Sequence, residues 1–193
     1  MHSISFYLEL GFRHISDLAG YDHILFLMVL CAVYQLHQWR TLLVLVTAFT
    51  VGHSMTLALT SFSVISIRSE VIEFLIPVTI VATAIHNLFI KPSMQILGHN
   101  RAYWMALCFG FIHGMGFANY FRALLLDETS IFIPLLGFNL GIEIGQLIIV
   151  FFIVTTAHLF TKIFRASARD WNIFISGAGF GLSLLLMIEN KFW

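Results

Sequence analysis

Apolar residues run through most of this chain in stretches too long for soluble strands or helices. Runs of about 20 mostly apolar residues, the length that crosses a bilayer, lie near 22–38, 41–62, 70–90, 102–126, 131–160 and 171–190. They predict about six transmembrane helices by that length rule. The fifth is long enough to tilt or to extend past the bilayer. The connections are short, so successive helices are expected to be antiparallel in one compact bundle. The first 21 residues alternate apolar and polar positions instead. They predict a short amphipathic helix lying at the interface. They carry no basic, then apolar, signal-peptide pattern.

Composition agrees with this pattern. Hydrophobic residues make up 59% of the 193 residues and charged ones only 10%, with a mean hydropathy of +0.91. A soluble domain carries about a quarter charged residues, so lipid must be the solvent for most side chains. The expected class is an all-α polytopic membrane bundle, a single transmembrane domain over 1–193. Net charge is zero, which leaves a nucleic-acid partner without electrostatic support. Cys31 and Cys108 both lie in apolar runs and read as packed thiols.

Basic residues suggest an orientation. Arg40, Lys91, Arg101, Lys162, Arg165 and Arg169 fall on one side, and Arg13, Arg68, Arg122 and Lys191 on the other, beside Asp127 and Glu128. The richer side is expected in the cytoplasm. Both termini then face outward, periplasmic if the membrane is the bacterial inner one. Trp39, Trp104 and Trp171 fall at the cytoplasmic ends, as an interfacial belt would. Glycines at spacing four (Gly110/Gly114, Gly137/Gly141/Gly145, Gly177/Gly181) predict close helix packing in the C-terminal half. A weak internal echo aligns 48–59 with 108–119, matching His53 to His113. It would place the two histidines at similar depth on helices that run the same way.

The ionisable residues inside the runs carry the chemistry, since each costs about 2.5 kcal/mol or more at mid-bilayer. Asp22 and His23 open the first run, His53 and His113 sit mid-run in the second and fourth, and Glu143 sits in the middle of the fifth. Asn139, Glu143 and Gln146 share one helix face, opposite the glycines. That pattern makes the fifth run a central helix rather than a lipid-facing one. Thr50 and Ser54 flank His53, and the third run adds Glu73, the Thr79/Thr83/His86 stripe and a kink at Pro77. Imidazoles with a carboxylate suit a borderline divalent ion, Ni, Co or Zn. The expected ligands are His23, Asp22, His53, His113 and Glu143. His14, Glu73 and His86 are additional candidates, and Asn139, Gln146, Ser54 and Thr50 are supporting groups around the ligands.

Four motifs in this order, "HISDLAGYDHILFL", "TAFTVGHSMTLAL", "HGMGFA" and "FNLGIEIGQL", resemble the HupE/UreJ family of membrane proteins. The resemblance implies a small bacterial inner-membrane permease for nickel or cobalt, supplying hydrogenase or urease. It carries the family's histidine–aspartate–histidine motif onto His14, Asp22 and His23. Its later motifs fall on His113 and Glu143. Seven residues separate His14 from Asp22, where the family more often has five, and His86 stands where relatives often carry glutamate. The transport reading places Asp22 and His23 as an outer capture pair and His53, His113 and Glu143 at the midplane. One alternative is an intramembrane zinc-dependent hydrolase, with zinc activating water and Glu143, Asp22 and Ser54 as its catalytic groups. A metal-binding sensor or accessory protein without flux is the other. The expected partners are the metal ion and lipid, with a homo-oligomer as an option.

Overall fold

A computed structural model describes residues 3–65, 67–89, 99–125, 128 and 130–193. Lys91 and Asp127, both used in the orientation argument, lie outside the described residues. Seven α-helices follow one another: α1 (Ile4–Ser16), α2 (Asp22–Cys31), α3 (Trp39–Ser61), α4 (Ser69–Phe89), α5 (His99–Leu124), α6 (Phe132–Ile163) and α7 (Ala168–Glu189). The described residues are all-α, as the apolar runs predict. Among the described residues, four helices are long and apolar enough to cross a membrane: α3 with its preceding 3-10 turn, α4, α6 and α7. The expectation of about six is therefore too high by this measure. The 26 residues of α5 have the length but are less apolar, because His113, Asn119 and three glycines interrupt the run between Arg101 and Arg122.

The first expected span is the main correction. It does not run from 22 to 38, because α2 stops after 10 residues at Cys31. Helix α1 lies beside it and is amphipathic as expected, with Glu9 and Arg13 exposed and Tyr7, Gly11 and Ile15 buried. It packs parallel to α6, with Gly137 against Ile4 and Tyr7, Gly141 against the Leu8 backbone, and Gly145 against Phe12 and Ile15. Further along α6, Val150 and Val154 pack with Leu27 and Cys31 of α2. Thus α1 and α2 form one discontinuous segment beside α6, broken at Asp17–Tyr21. The break is legible locally, since Ser16, Asp17 and Gly20 are turn formers, and the Asp17 carboxylate accepts from Ala19 N–H at 2.9 Å.

Two further pairs organise the bundle. Helices α3 and α5 run parallel: Gly110 rests on the Phe49 backbone and Gly114 on that of His53. Thr56 Oγ1 donates across the pair to the Phe111 carbonyl at 2.9 Å. The positions matched by the sequence echo thus face one another. Helices α4 and α7 run antiparallel. Pro77 lies inside α4 and cannot donate to the Glu73 carbonyl one turn back. Asn190 Nδ2 donates to that carbonyl instead, at 3.2 Å. With Tyr7 OH donating to Glu128 at 2.9 Å, these contacts put both chain ends on one side of the bundle.

Several smaller expectations change. Gly177 and Gly181 meet nothing within 4 Å, so the α7 glycine pair does not pack against another helix. Gly179 does, against Val29. The sequence pattern cannot say which face of a peripheral helix turns inward. Helix α6 uses its glycine face for α1 and its polar face for α3, but it has a third, exposed face carrying Leu140, Ile144 and Ile148. It is central on two sides and outward-facing on the other. Trp39 and Trp104 are exposed, whereas Trp171 is buried beside Ala32, Ala157 and Ile175 and is not part of an interfacial belt. Cys31 is buried, but Cys108 faces outward.

Candidate metal centre

The break between α1 and α2 gives the site its shape. Two half-length helices meeting inside the bundle bring His14, near the end of α1, and His23, at the start of α2, to one depth. Helix α3 adds His53, and α5 adds His113. Ligand-capable atoms of His14, His23 and His53 all lie within 4.8 Å of one another. The His14 and His23 rings are 4.8 Å apart, and each is about 6 Å from His53 (5.8 and 6.3 Å). The His113 ring is 5.1 Å from His23. Phe117 and Phe138 wall the cluster on one side, and Phe26 and Phe49 flank His113. His23, His53 and His113 are all buried.

Hydrogen bonds fix two of the tautomers. Asp22 Oδ1 accepts from His23 Nδ1 at 2.9 Å and from the His23 backbone N–H at 2.7 Å. A carboxylate only accepts, so Nδ1 carries the proton and Nε2 keeps a lone pair. Carboxylate–histidine pairs of this kind orient metal-binding imidazoles and raise their basicity. At His113, Nε2 lies 3.0 Å from Thr79 Oγ1, which donates its own proton to the Ile76 carbonyl at 2.7 Å. With that proton directed to the Ile76 carbonyl, the threonine oxygen accepts from His113 Nε2–H, an assignment that leaves the His113 lone pair on Nδ1.

Those lone pairs have no protein partner. Among the described residues, five buried imidazole nitrogens lack a hydrogen bond: His14 Nε2, His23 Nε2, both nitrogens of His53, and His113 Nδ1. An unsatisfied buried polar atom costs about 1–3 kcal/mol. Such a concentration in one place calls for a ligand. Neutral imidazoles with a carboxylate behind one of them are donors for a borderline divalent cation, and the residues present fit that chemistry. A cavity of about 180 Å³ adjoins the cluster, lined by Asp17, Asp22, His23, Glu73, His113 and Phe117 among others.

The remaining expected residues are placed elsewhere. The structure does not bring Glu143 into the histidine cluster; its Oε1 accepts from Thr47 Oγ1 at 2.6 Å. Gln146 Oε1 accepts from Thr50 Oγ1 at 2.8 Å, while Gln146 Nε2 is buried without a partner. Asn139 Nδ2 donates to the Leu135 carbonyl at 2.7 Å, and Ser54 Oγ donates to the Thr50 carbonyl at 2.7 Å. These bonds join α3 to α6 or stay within one helix. Glu73 is exposed at the cavity, and His86 is half-buried on α4, outside the cluster. An outer pair and a separate midplane set are not what the histidines form: residues 14, 23 and 53 make one cluster. Sequence reasoning missed Asp17 and Phe117. Asp17 had a signal, as the acidic residue of the turn that breaks the segment.

No curated protein and no solved structure matches the chain. A family model described as HupE / UreJ protein matches residues 1–190. The chain belongs to the HupE/UreJ family.

Proposed function

We propose that this protein is a membrane permease for a divalent transition-metal ion, nickel or cobalt, in the bacterial inner membrane with both termini periplasmic. The observation that carries the reading is the set of five partnerless imidazole nitrogens in one buried cluster. His14, His23 and His53 are the first ligands, Asp22 holds His23 in its tautomer, and His113 Nδ1 offers a further donor. The cavity with Asp17, Asp22 and Glu73 on its wall gives a cation an acidic approach. Imidazoles release a divalent ion more readily than thiolates do, as a carrier requires.

The test is direct. Purified protein should bind Ni²⁺ or Co²⁺ stoichiometrically, and His23→Ala with His53→Ala should abolish binding. Full metal retention in that double variant would sink the site. Liposomes carrying the protein should take up the ion; no protein-dependent uptake of any divalent ion would overturn the permease reading.

A zinc-dependent hydrolase is the second reading, favoured by the cavity beside a three-histidine cluster. Catalytic zinc sites use three protein ligands and keep one position open. Metal-dependent turnover of an ester or amide lipid, without ion flux, would select it.

A further inference from the structure

We propose that the ion leaves the histidine centre toward the opposite face along a buried polar seam between α4 and α7. The assignment rests on the transport reading. Thr79, Thr83 and Asn87 occupy one stripe of α4, and Asn172, Ser176 and Ser183 one stripe of α7, all buried. None is charged. The seam begins at the site itself, because Thr79 Oγ1 is the atom that accepts from His113. It continues through Thr83, whose hydroxyl donates to the Thr79 carbonyl at 2.8 Å. Eight residues along α4, about 12 Å at the helical rise, it reaches Asn87. There Asn87 Nδ2 donates to the Val29 carbonyl and to Ser176 Oγ, Asn172 Nδ2 donates to the Asn87 carbonyl, and Ser176 Oγ donates to Asn172 Oδ1.

The next residue is Trp171, on the wall of a second cavity of about 190 Å³ with Tyr34, Gln35, His158 and Thr161. This cavity lies beside the turn after α2 and the connection from α6 to α7, at the opposite end of the bundle from the chain termini. The seam therefore joins the histidine centre to a cavity at the far face.

Helix-to-helix adhesion accounts for the Asn87–Asn172–Ser176 bonds but not for the whole seam. Ser183 Oγ and Trp171 Nε1 are buried and have no partner among the described residues. The antiparallel register, set by Asn87 opposite Ser176 and Glu73 opposite Asn190, places Ser183 level with residues 76–80, near the histidine end. Trp171 lies at the other end. Polar groups left open at both ends of a polar stripe call for water. Hydroxyl, amide and carbonyl oxygens hold a borderline cation less tightly than imidazoles. A neutral oxygen-lined path below a nitrogen site therefore lets the ion move on rather than trapping it again.

The experiment uses the full chain in liposomes with a Ni²⁺-sensitive dye inside, and in detergent for Ni²⁺ binding. Thr83→Val and Ser176→Val should lower the uptake rate about tenfold or more, the scale of losing a hydrogen-bonding group to a charge. Ni²⁺ affinity in detergent should stay close to wild type. Uptake at the wild-type rate in both variants overturns the seam while leaving the metal centre intact. Loss of binding in the wild type removes the metal centre instead, and binding without wild-type flux removes transport and the seam together. Where a valine variant does not fold, cysteine labelling decides. In a Cys31→Ala, Cys108→Ala background, Ser183→Cys should react with a small water-soluble thiol reagent, and Leu182→Cys on the exposed face should not. An unreactive Ser183→Cys overturns the water-filled seam.

Discussion

At the residue scale, the centre is defined by which imidazole nitrogen is left without a partner. Asp22 accepts a hydrogen bond from His23 Nδ1–H and so leaves Nε2 to the cluster; Thr79 accepts from His113 Nε2–H and so leaves Nδ1. Asp22→Asn keeps the shape but can present its amide N–H₂ to the imidazole, favouring the wrong tautomer. We expect Ni²⁺ affinity to fall about 10–100-fold, the usual cost of losing such a partner, measured by calorimetry in detergent. Glu143→Gln should leave that affinity largely unchanged, because its carboxylate bonds to Thr47. A large loss there would place Glu143 among the ligands.

At the element scale, glycines decide which helices can approach, but only where a partner exists. A Cβ at Gly141 would run into the Leu8 carbonyl, whereas one at Gly177 meets open space. Gly141→Val should push α1 off α6, costing about 1–3 kcal/mol as overpacking does, and should weaken metal binding because α1 carries His14. Gly177→Ala should be neutral, or stabilising by up to about 1 kcal/mol through helix propensity. Thermal unfolding in detergent, alongside Ni²⁺ titration, checks both. The glycine spacing was legible in the sequence in both helices. What it could not convey was the direction each face would turn, since Gly177/Gly181 and Gly137/Gly141 look alike until the neighbours are known. The break at Asp17–Tyr21 was also written locally, in its turn formers. An apolar run that continues past Cys31 hides the fact that the helix stops there.

At the scale of the whole molecule, the centre draws on α1, α2, α3 and α5, with histidines from position 14 to position 113. A metal bound to all four would staple the bundle. Because only the folded state assembles the site, bound ion should stabilise it by about 2.7 kcal/mol at a hundred times Kd. The melting temperature in detergent should therefore rise with added Ni²⁺ and return on chelation. The His23→Ala, His53→Ala variant should show no such rise. An equal shift in that variant would mean that the ion binds elsewhere.

The sequence by itself determined the solvent of this protein, its helical class and which imidazoles and carboxylates were candidates for a site. Those properties follow from composition and from the cost of placing an imidazole or a carboxylate among apolar neighbours, and both are local. Tertiary structure alone decided that α1 packs along α6, that His14 joins His23 and His53 in one cluster, and that Glu143 stays with Thr47. Each of these depends on which faces of distant helices meet. Hydrophobic periodicity says only that a face is buried, and leaves open what it is buried against.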